Sequence, residues 1–435
     1  MSDKKIYNLT QSKSFCMNAW VHMHNLPNGN IMPCCVSNWA EPLGNLYNDT
    51  VENIWNNDAY KSVRYNMLND LPVSSCNRCY KEEEWGNAKT YRKNVNSRYS
   101  HLYDELVEQK TDEDGFSHTM EFRRWDFRFS NLCNLACTMC GPGCSSKWVD
   151  INNKMFLKNE EVKFKTSKQD LELFINTIKS QSDIVDDIYF AGGEPLIQPE
   201  HYTILKHIDD IGRLDQINFT YSTNLTSLKY KSVNVMDYWS KIKKIKLLVS
   251  IDEVDADRLY YIRYPAILSE IIDNLKTVNE NFNDNDRRWV VTPTWSLMNT
   301  HRIKEIVSFF KDNDLLPQMF YESIEWEVDL HNIILMYPDH MSISAATPEW
   351  KTYLRTKLDE YTQWYLDEMI PLKKTHMLRL KATEVFLNNI ERFYNALDDQ
   401  LNLDASIHTN WYNSLDRVRD TKFVKAFPEL SWNLK

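Results

Sequence analysis

Trp125-Asp126-Phe127-Arg128-Phe129-Ser130-Asn131-Leu132-Cys133-Asn134-Leu135-Ala136-Cys137-Thr138-Met139-Cys140-Gly141-Pro142 is the stretch whose reading decides the fold. A strand-like run, Trp125 to Ser130, empties into a loop that carries three closely spaced cysteines. A [4Fe–4S] cube normally takes four thiolates, and spacings of two or three residues let one loop reach several of its corners. One loop here offers three, so the fourth iron falls to something other than a cysteine of this loop. An open metal position is what a catalytic site keeps and a structural site closes. The competing reading is a zinc knuckle or a set of reduced structural cysteines.

Outward from this loop the chain alternates. Strands are predicted at Trp125 to Ser130, Ile184 to Phe190, Gln216 to Ser222, Ile245 to Ile251, Trp289 to Trp295 and Met319 to Trp326. Helical spacing is predicted between them at Leu171 to Ile178, His201 to Ile211, Val233 to Ile242, Ala266 to Phe282 and Ile303 to Asp312. Strands rich in Ile, Val and Phe that alternate with helices imply βα units and a parallel sheet. The expected fold class is therefore α/β. Six units fall two short of a closed eight-stranded barrel, so residues 120–335 read as a partial (β/α)6 TIM-like barrel, with an open doubly wound sheet as the alternative. Either way the chemistry belongs at the C-terminal ends of the strands. Residues 336–435 read as a helical extension that opens at Thr347-Pro348-Glu349, a capping hydroxyl followed by Pro at the first helical position.

Small polar motifs stand at successive strand ends. Gly192-Gly193-Glu194-Pro195 follows the second strand, Ser222-Thr223-Asn224 the third, and Ser250-Ile251-Asp252 the fourth. Adjacent glycines let a ligand approach the backbone closely, and the hydroxyl and carboxylate groups suit a ribose. Taken together with Cys133-x3-Cys137-x2-Cys140, these residues resemble the radical S-adenosylmethionine (SAM) superfamily. The resemblance implies that Cys133, Cys137 and Cys140 bind a catalytic [4Fe–4S] cluster whose fourth iron is chelated by the amino and carboxylate groups of SAM. It implies that Gly192, Gly193, Glu194 and Pro195 meet the methionine amino group, and that Ser250 and Asp252 meet the ribose or methionine end. Asn224 is a further cofactor-binding candidate or a plain strand cap, and Glu194 is alternatively a supporting hydrogen-bonding residue. Arg263 is a partner for a carboxylate of SAM or substrate, or else a structural ion pair. One electron from a reductant such as flavodoxin or ferredoxin would cleave SAM to methionine and a 5′-deoxyadenosyl radical, which takes a hydrogen atom from the substrate.

The first 85 residues form a separate unit, with 86–119 read as a linker. Trp20 to His24 and Ile31 to Cys35 are short strands joined by the turn Pro27-Asn28-Gly29, Val51 to Leu68 has helical spacing, and Cys76 to Cys79 lies in a loop after Pro72. A core this small usually needs a metal staple. Cys16, twelve residues, Gly29, four residues, Cys34, then Cys76-x2-Cys79 is similar to the auxiliary-cluster segment of SPASM and twitch-domain radical SAM enzymes. That resemblance implies a second, auxiliary [4Fe–4S] cluster held by Cys16, Cys34, Cys76 and Cys79, with Cys35 able to replace Cys34. Spacing alone suits a four-cysteine zinc site equally. In most of the family the segment follows the barrel, whereas here it precedes it.

Other residues carry weaker signals. Cys144 is a hydrogen-atom donor to a substrate radical or a buried loop cysteine. His22 and His24 alternate on a strand and read as core or surface histidines. Glu322, Glu325 and Glu327 on the sixth strand are expected to face solvent.

The chain has 435 residues with a net charge of -10 and no long Lys/Arg run, which excludes the electrostatic footprint of a general nucleic-acid binder. No apolar run is long enough to span a membrane, the N-terminus lacks a signal-peptide segment, and nine cysteines in two clusters fit metal rather than disulfides. The expected location is cytoplasmic. Relatives with such auxiliary domains often modify peptides or proteins, which makes a peptide or protein the leading substrate class. A small metabolite such as a sugar or amino-acid derivative is the alternative, and a non-catalytic Fe–S or zinc scaffold is the reading from another class.

Overall fold

Lys244–Val249 buries one face completely and pairs in parallel with Arg287–Val291, so that Val249 lies opposite Val291. In the computed structural model these belong to a sheet of five strands, and residues 2–87, 89–157, 168–282, 284, 286–399, 401 and 405–430 are described. The strand order is Arg124–Trp125, Asp187–Phe190, Asn218–Thr223, Lys244–Val249, Arg287–Val291, which is the order of the chain. A doubly wound sheet reverses its order at a switch point. This sheet does not, and the fold is α/β around a parallel sheet.

The chain divides into two compact units, Met1–Ser130 with Lys163–Ala191 and Pro199–Phe219, and Asn131–Val162 with Gly192–Gln198 and Thr220–Lys435. In the first unit His24–Asn25, Asn30–Met32 and Gly44–Asn45 form an antiparallel sheet. Its first turn needs Gly29, whose φ is +81° and whose added Cβ would lie 2.9 Å from the Tyr47 ring. Trp20 and Val21, expected in a strand, belong to a helical turn, Asn18–Val21. Ala19, Trp20 and Val21 are all buried, and a short apolar run buried all round fits a helix as well as a strand. Val51–Trp55 and Asp58–Leu68 are two helices, each started by its own cap, Thr50 and Asn57. Cys76 and Cys79 lie on a 3-10 turn and the helix Asn77–Glu84 rather than in a loop, and their spacing of three places them on one helical face. The segment 86–119 carries the helix Tyr91–Tyr99, capped by Thr90, and buries Val95, Tyr99, Leu106 and Val107. Only Arg124–Trp125 of the predicted first strand joins the ladder, against Asp187 and Ile188. Its continuation is held by Asn25, which accepts from the Arg128 amide at 3.2 Å and donates to the Arg128 carbonyl at 3.1 Å.

In the second unit the helices Leu268–Asn281 and Ile303–Asp312 bury Ile271, Leu275 and Val278, and Ile303, Ile306, Val307 and Phe310, at helical spacing. Of the predicted helix Val233 to Ile242, only Met236–Trp239 is helical. Asn234 caps the Met236 amide at 3.1 Å and delays the start. The predicted sixth strand is a correction. All of Met319 to Trp326 except Ser323 and Ile324 falls within two helices, Gln318–Glu322 and Glu325–Leu330. Its neighbours Met319 and Phe320 are both buried, and Trp326 and Leu330 are buried four apart, which is a helical and not an alternating pattern. Thr294–Trp295 pairs instead with Ile333–Ile334, in parallel. Glu327, expected at the surface, is 0% exposed. It forms an ion pair with Lys373 at 2.7 Å and accepts from the Tyr365 hydroxyl at 2.8 Å. Long helices, Pro348–Glu368 and His376–Asp398, and then Ala405–Arg419 complete the unit.

Candidate active site and auxiliary cysteine site

The cysteine loop is closed on itself by its own polar groups. The Ser146 amide donates to the Asn131 carbonyl at 2.7 Å, and the Asn131 side chain to the Pro142 carbonyl at 2.7 Å. The Trp148 indole donates to the Cys137 carbonyl at 2.7 Å. Ala136–Cys137 pairs antiparallel with Arg263–Tyr264, and Arg419 donates to the Ala136 and Tyr261 carbonyls. The Leu135 amide points at the Cys133 sulfur at 3.4 Å, and Arg263 Nη1 lies 3.8 Å from the Cys137 sulfur. A hydrogen bond from Cys140 and the Arg263 guanidinium hold the Cys137 thiol below its ordinary range. The same hydrogen bond pushes Cys140 well up, and burial pushes Cys133 up to about 12. Three thiols on one loop, with an amide and a guanidinium aimed at sulfur, form a donor set that fits three corners of an iron–sulfur cluster.

Gly192 to Pro195 is fastened to that loop. The Glu194 amide donates to the Leu132 carbonyl at 2.8 Å, and Gln198 Nε2 donates to the Gly192 carbonyl at 2.7 Å. Gly193 has a φ of +56°, and an added Cβ would lie 2.4 Å from the Leu132 oxygen. The Glu194 carboxylate is buried and accepts from the Thr223 hydroxyl at 2.7 Å, the Asn224 amide at 2.7 Å and the Leu196 amide at 3.1 Å. Burial pushes this carboxyl up to about 7 against the pull of those three donors. Asn224 Nδ2 donates to Asn134 Oδ1 at 3.0 Å, and Asn134 Nδ2 donates to the Thr226 hydroxyl at 2.8 Å. Asp252 is 0% exposed, pairs with Arg263 Nε at 2.7 Å and accepts from the Thr294 amide at 2.8 Å. Ser250 is half-buried, and its amide donates to the Thr223 carbonyl at 2.9 Å.

Cys133, Cys137, Cys140, Gly192 to Pro195, Asn224, Asp252 and Arg263 are thus drawn into one hydrogen-bonded group. Arg263 pairs with Asp252 and reaches the loop at Cys137. Asn134, Gln198 and Arg419 are among the members of the group that had not been singled out. Asn134 lies inside the cysteine motif and Gln198 three residues beyond Pro195, so both could have been found from position. Arg419 has no local signal.

In the first unit Cys16, Cys34, Cys76 and Cys79 line one cavity with Arg92. Burial pushes Cys16, Cys76 and Cys79 up to about 12, and Cys34 well up. Four buried thiols around a void suit a bound group that takes them as thiolates and brings positive charge. Arg92 adds to that charge. It is tied by Glu83 and by the Ser12 and Phe15 carbonyls at 3.0 and 2.9 Å. Cys35 does not line the cavity.

The radical SAM superfamily model matches residues 127–310, and the SPASM model, described as an iron-sulfur cluster-binding domain, matches residues 16–80. Among solved structures, Streptococcus suis SuiB bound to S-adenosylmethionine is similar at 16% identity and a TM-score of 0.37, over 74% of this chain and 66% of that one. SuiB bound to the precursor peptide SuiA gives 14% identity and a TM-score of 0.32, over 55% of this chain and 51% of that one. The structure of anSMEcpe with bound AdoMet gives 15% and 0.35, over 55% and 60%. This chain spans between about half and two thirds of the length of these chains. Among curated proteins nothing matches. The family matches carry the assignment. The cofactors that go with the two domains are a SAM-binding [4Fe–4S] cluster, SAM and an auxiliary [4Fe–4S] cluster. With three thiols on a loop fastened to Gly192–Pro195 and four cysteines around one cavity in the segment the SPASM model matches, the chain belongs to the radical SAM superfamily and carries an auxiliary iron–sulfur domain.

Proposed function

We propose that the chain cleaves SAM reductively at the loop Cys133 to Cys140 and takes a hydrogen atom from a peptide or protein. The observation that carries this reading is the joining of the three-cysteine loop, through Leu132 and Asn134, to Gly192 to Pro195 and Asn224 by hydrogen bonds. When bound, the cluster and SAM supply one-electron cleavage and hydrogen abstraction, chemistry that no side chain can perform. The protein's part is to hold and orient. Cys133, Cys137 and Cys140 take three irons and leave the fourth to SAM. The backbone at Gly192 and Gly193 admits the methionine end, and Glu194 fixes that backbone by holding the Asn224 amide. The Ser250 hydroxyl meets the ribose or methionine end. Asp252 keeps Arg263 beside Cys137, and is a positioning residue in this reading.

The scaffold we propose is a partial barrel in which Ile333–Ile334 takes the sixth position. The auxiliary domain is placed at 1–85, its connection at 86–119, the radical SAM region at 120–335 and the helical region at 336–435. Cys16, Cys34, Cys76 and Cys79 hold one auxiliary cluster, as a twitch domain would. The location is cytoplasmic, and a flavodoxin or ferredoxin serves as reductant. The peptide class rests on what enzymes with such auxiliary domains most often modify.

Anaerobic reconstitution tests the reading. The expected result is about eight irons per chain and release of 5′-deoxyadenosine from SAM plus reductant. Intact clusters without 5′-deoxyadenosine would overturn the activity. With Cys79→Ala, iron is expected to fall to about four per chain while the loop at Cys133 to Cys140 keeps its cluster.

Gly193→Ala tests the backbone approach. A side chain at this left-handed residue costs about 1–3 kcal/mol of strain, read as SAM binding weakened about five- to a hundredfold. Equilibrium dialysis of SAM against the reconstituted protein measures it, with iron content unchanged.

A further inference from the structure

A third group of metal-ligating side chains lies in the first unit and is used by neither cysteine site. His22, His24 and Asp126 are each 0% exposed. One nitrogen of each imidazole and one carboxylate oxygen lie within 4.8 Å of one another. His22 ends the helical turn Asn18–Val21, His24 opens the hairpin strand, and Asp126 follows the strand Arg124–Trp125.

The backbone sets the tautomers. His22 Nδ1 lies 3.0 Å from the Arg124 carbonyl, and His24 Nδ1 lies 2.7 Å from the Asp126 carbonyl. A carbonyl only accepts, so each Nδ1 carries the ring proton and each Nε2 presents a lone pair. This is how a ligating imidazole is usually held. Both Nε2 atoms are buried with no hydrogen-bond partner among the described residues. Burial keeps both rings neutral, holding His22 down to about 3 and His24 down to about 4, so a simple histidine–aspartate ion pair does not account for them. Asp126 is held as the anion by Arg128, whose Nη2 lies 2.9 Å from Oδ1. Its Oδ2 stands 3.7 Å from His24 Nδ1.

We infer that His22, His24 and Asp126 bind one zinc-class divalent ion, a site separate from both iron–sulfur clusters. Two imidazoles and a carboxylate are a common three-ligand zinc donor set that leaves one position for water. The Asp126 carboxylate offsets part of the charge of the ion, which matters where Arg124 and Arg128 are already close.

The test uses the full chain, produced with zinc sulfate, purified anaerobically and treated with chelator. Metal analysis is expected to give about one zinc per chain beyond cluster iron, and zinc-edge absorption to show nitrogen and oxygen neighbours at about 2.0–2.2 Å and no sulfur. His24→Gln is expected to lower zinc at least about tenfold with iron unchanged. His22→Gln is expected to do the same, and zinc-edge absorption of the wild type reports even where both variants fail to fold. No zinc in the wild type would overturn the inference and assign the lone pairs to a buried water. A zinc shell that contains sulfur would place the ion among the cysteines and overturn it too.

Discussion

Alanine at Cys133, Cys137 or Cys140, one at a time, is expected to lower iron from about eight to about four per chain. Reductive SAM cleavage is expected to fall about a thousandfold or more, because the cofactor carries the chemistry and no side chain stands in for it. The three positions are not equivalent in what surrounds them. Cys137 has Arg263 at 3.8 Å and an antiparallel partner in Arg263–Tyr264, so its loss also leaves a buried guanidinium facing a void. Cys133 has the Leu135 amide pointed at its sulfur. Cys144→Ala is the matched control. Cys144 follows the glycine turn, its amide donating to the Gly141 carbonyl at 3.0 Å, and stands outside the proposed triad. It is expected to keep both the iron and the 5′-deoxyadenosine. Loss of the cluster in Cys144→Ala would overturn the three-thiolate reading.

Lys373→Ala is expected to cost the second unit about 3–5 kcal/mol, because it strands Glu327 as an uncompensated charge in the core. Both side chains are 0% exposed, and the ammonium also donates to the Phe320 and Ser323 carbonyls. Burial pushes the Glu327 carboxyl up and the Lys373 ammonium down, each against the pull of the other. Neither is comfortable alone. Hydrogen exchange of the helix Pro348–Glu368 is the measurement, since a chain of two units does not unfold in one step. Protection there is expected to fall between about a hundredfold and several thousandfold. Glu327→Leu combined with Lys373→Met is expected to lose much less, because two apolar groups leave no charge buried. Equal losses in the single and double variants would show that packing, not charge, holds this region.

Much of this was legible because periodicity and burial agree. Ile303–Asp312 is a helix at the expected boundaries, and the strand expected at Ile245 to Ile251 is found at Lys244–Val249. Met319 to Trp326 misled because eight residues rich in aromatics satisfy a strand window as well as a helical one, and only the burial of adjacent side chains decides. Glu327 followed from that error: on a strand it faced water, on a helix it faces Lys373. In the site, Cys133, Cys137, Cys140 and Gly192 to Pro195 could be found because each group sits together in the chain. Partners could not. Glu194 holding Asn224, and Asp252 holding Arg263, are contacts between strand ends that no local pattern encodes. The choice between Cys34 and Cys35 was open for a similar reason, since adjacent residues share every spacing and only their directions differ.

Arg419 gives the cysteine loop a place in time. It donates to the Ala136 carbonyl from 283 positions downstream, and it lies 4.9 Å over the Trp148 ring. A ribosome adds about 5–20 residues each second, so roughly 15–60 s pass between the synthesis of the loop and the synthesis of its clasp. During that interval the thiols at 133, 137 and 140 are on a segment whose last brace has not been made. The loop's last brace is therefore added only once residue 419 has been made, and until then its three thiols sit on a loop without that clasp.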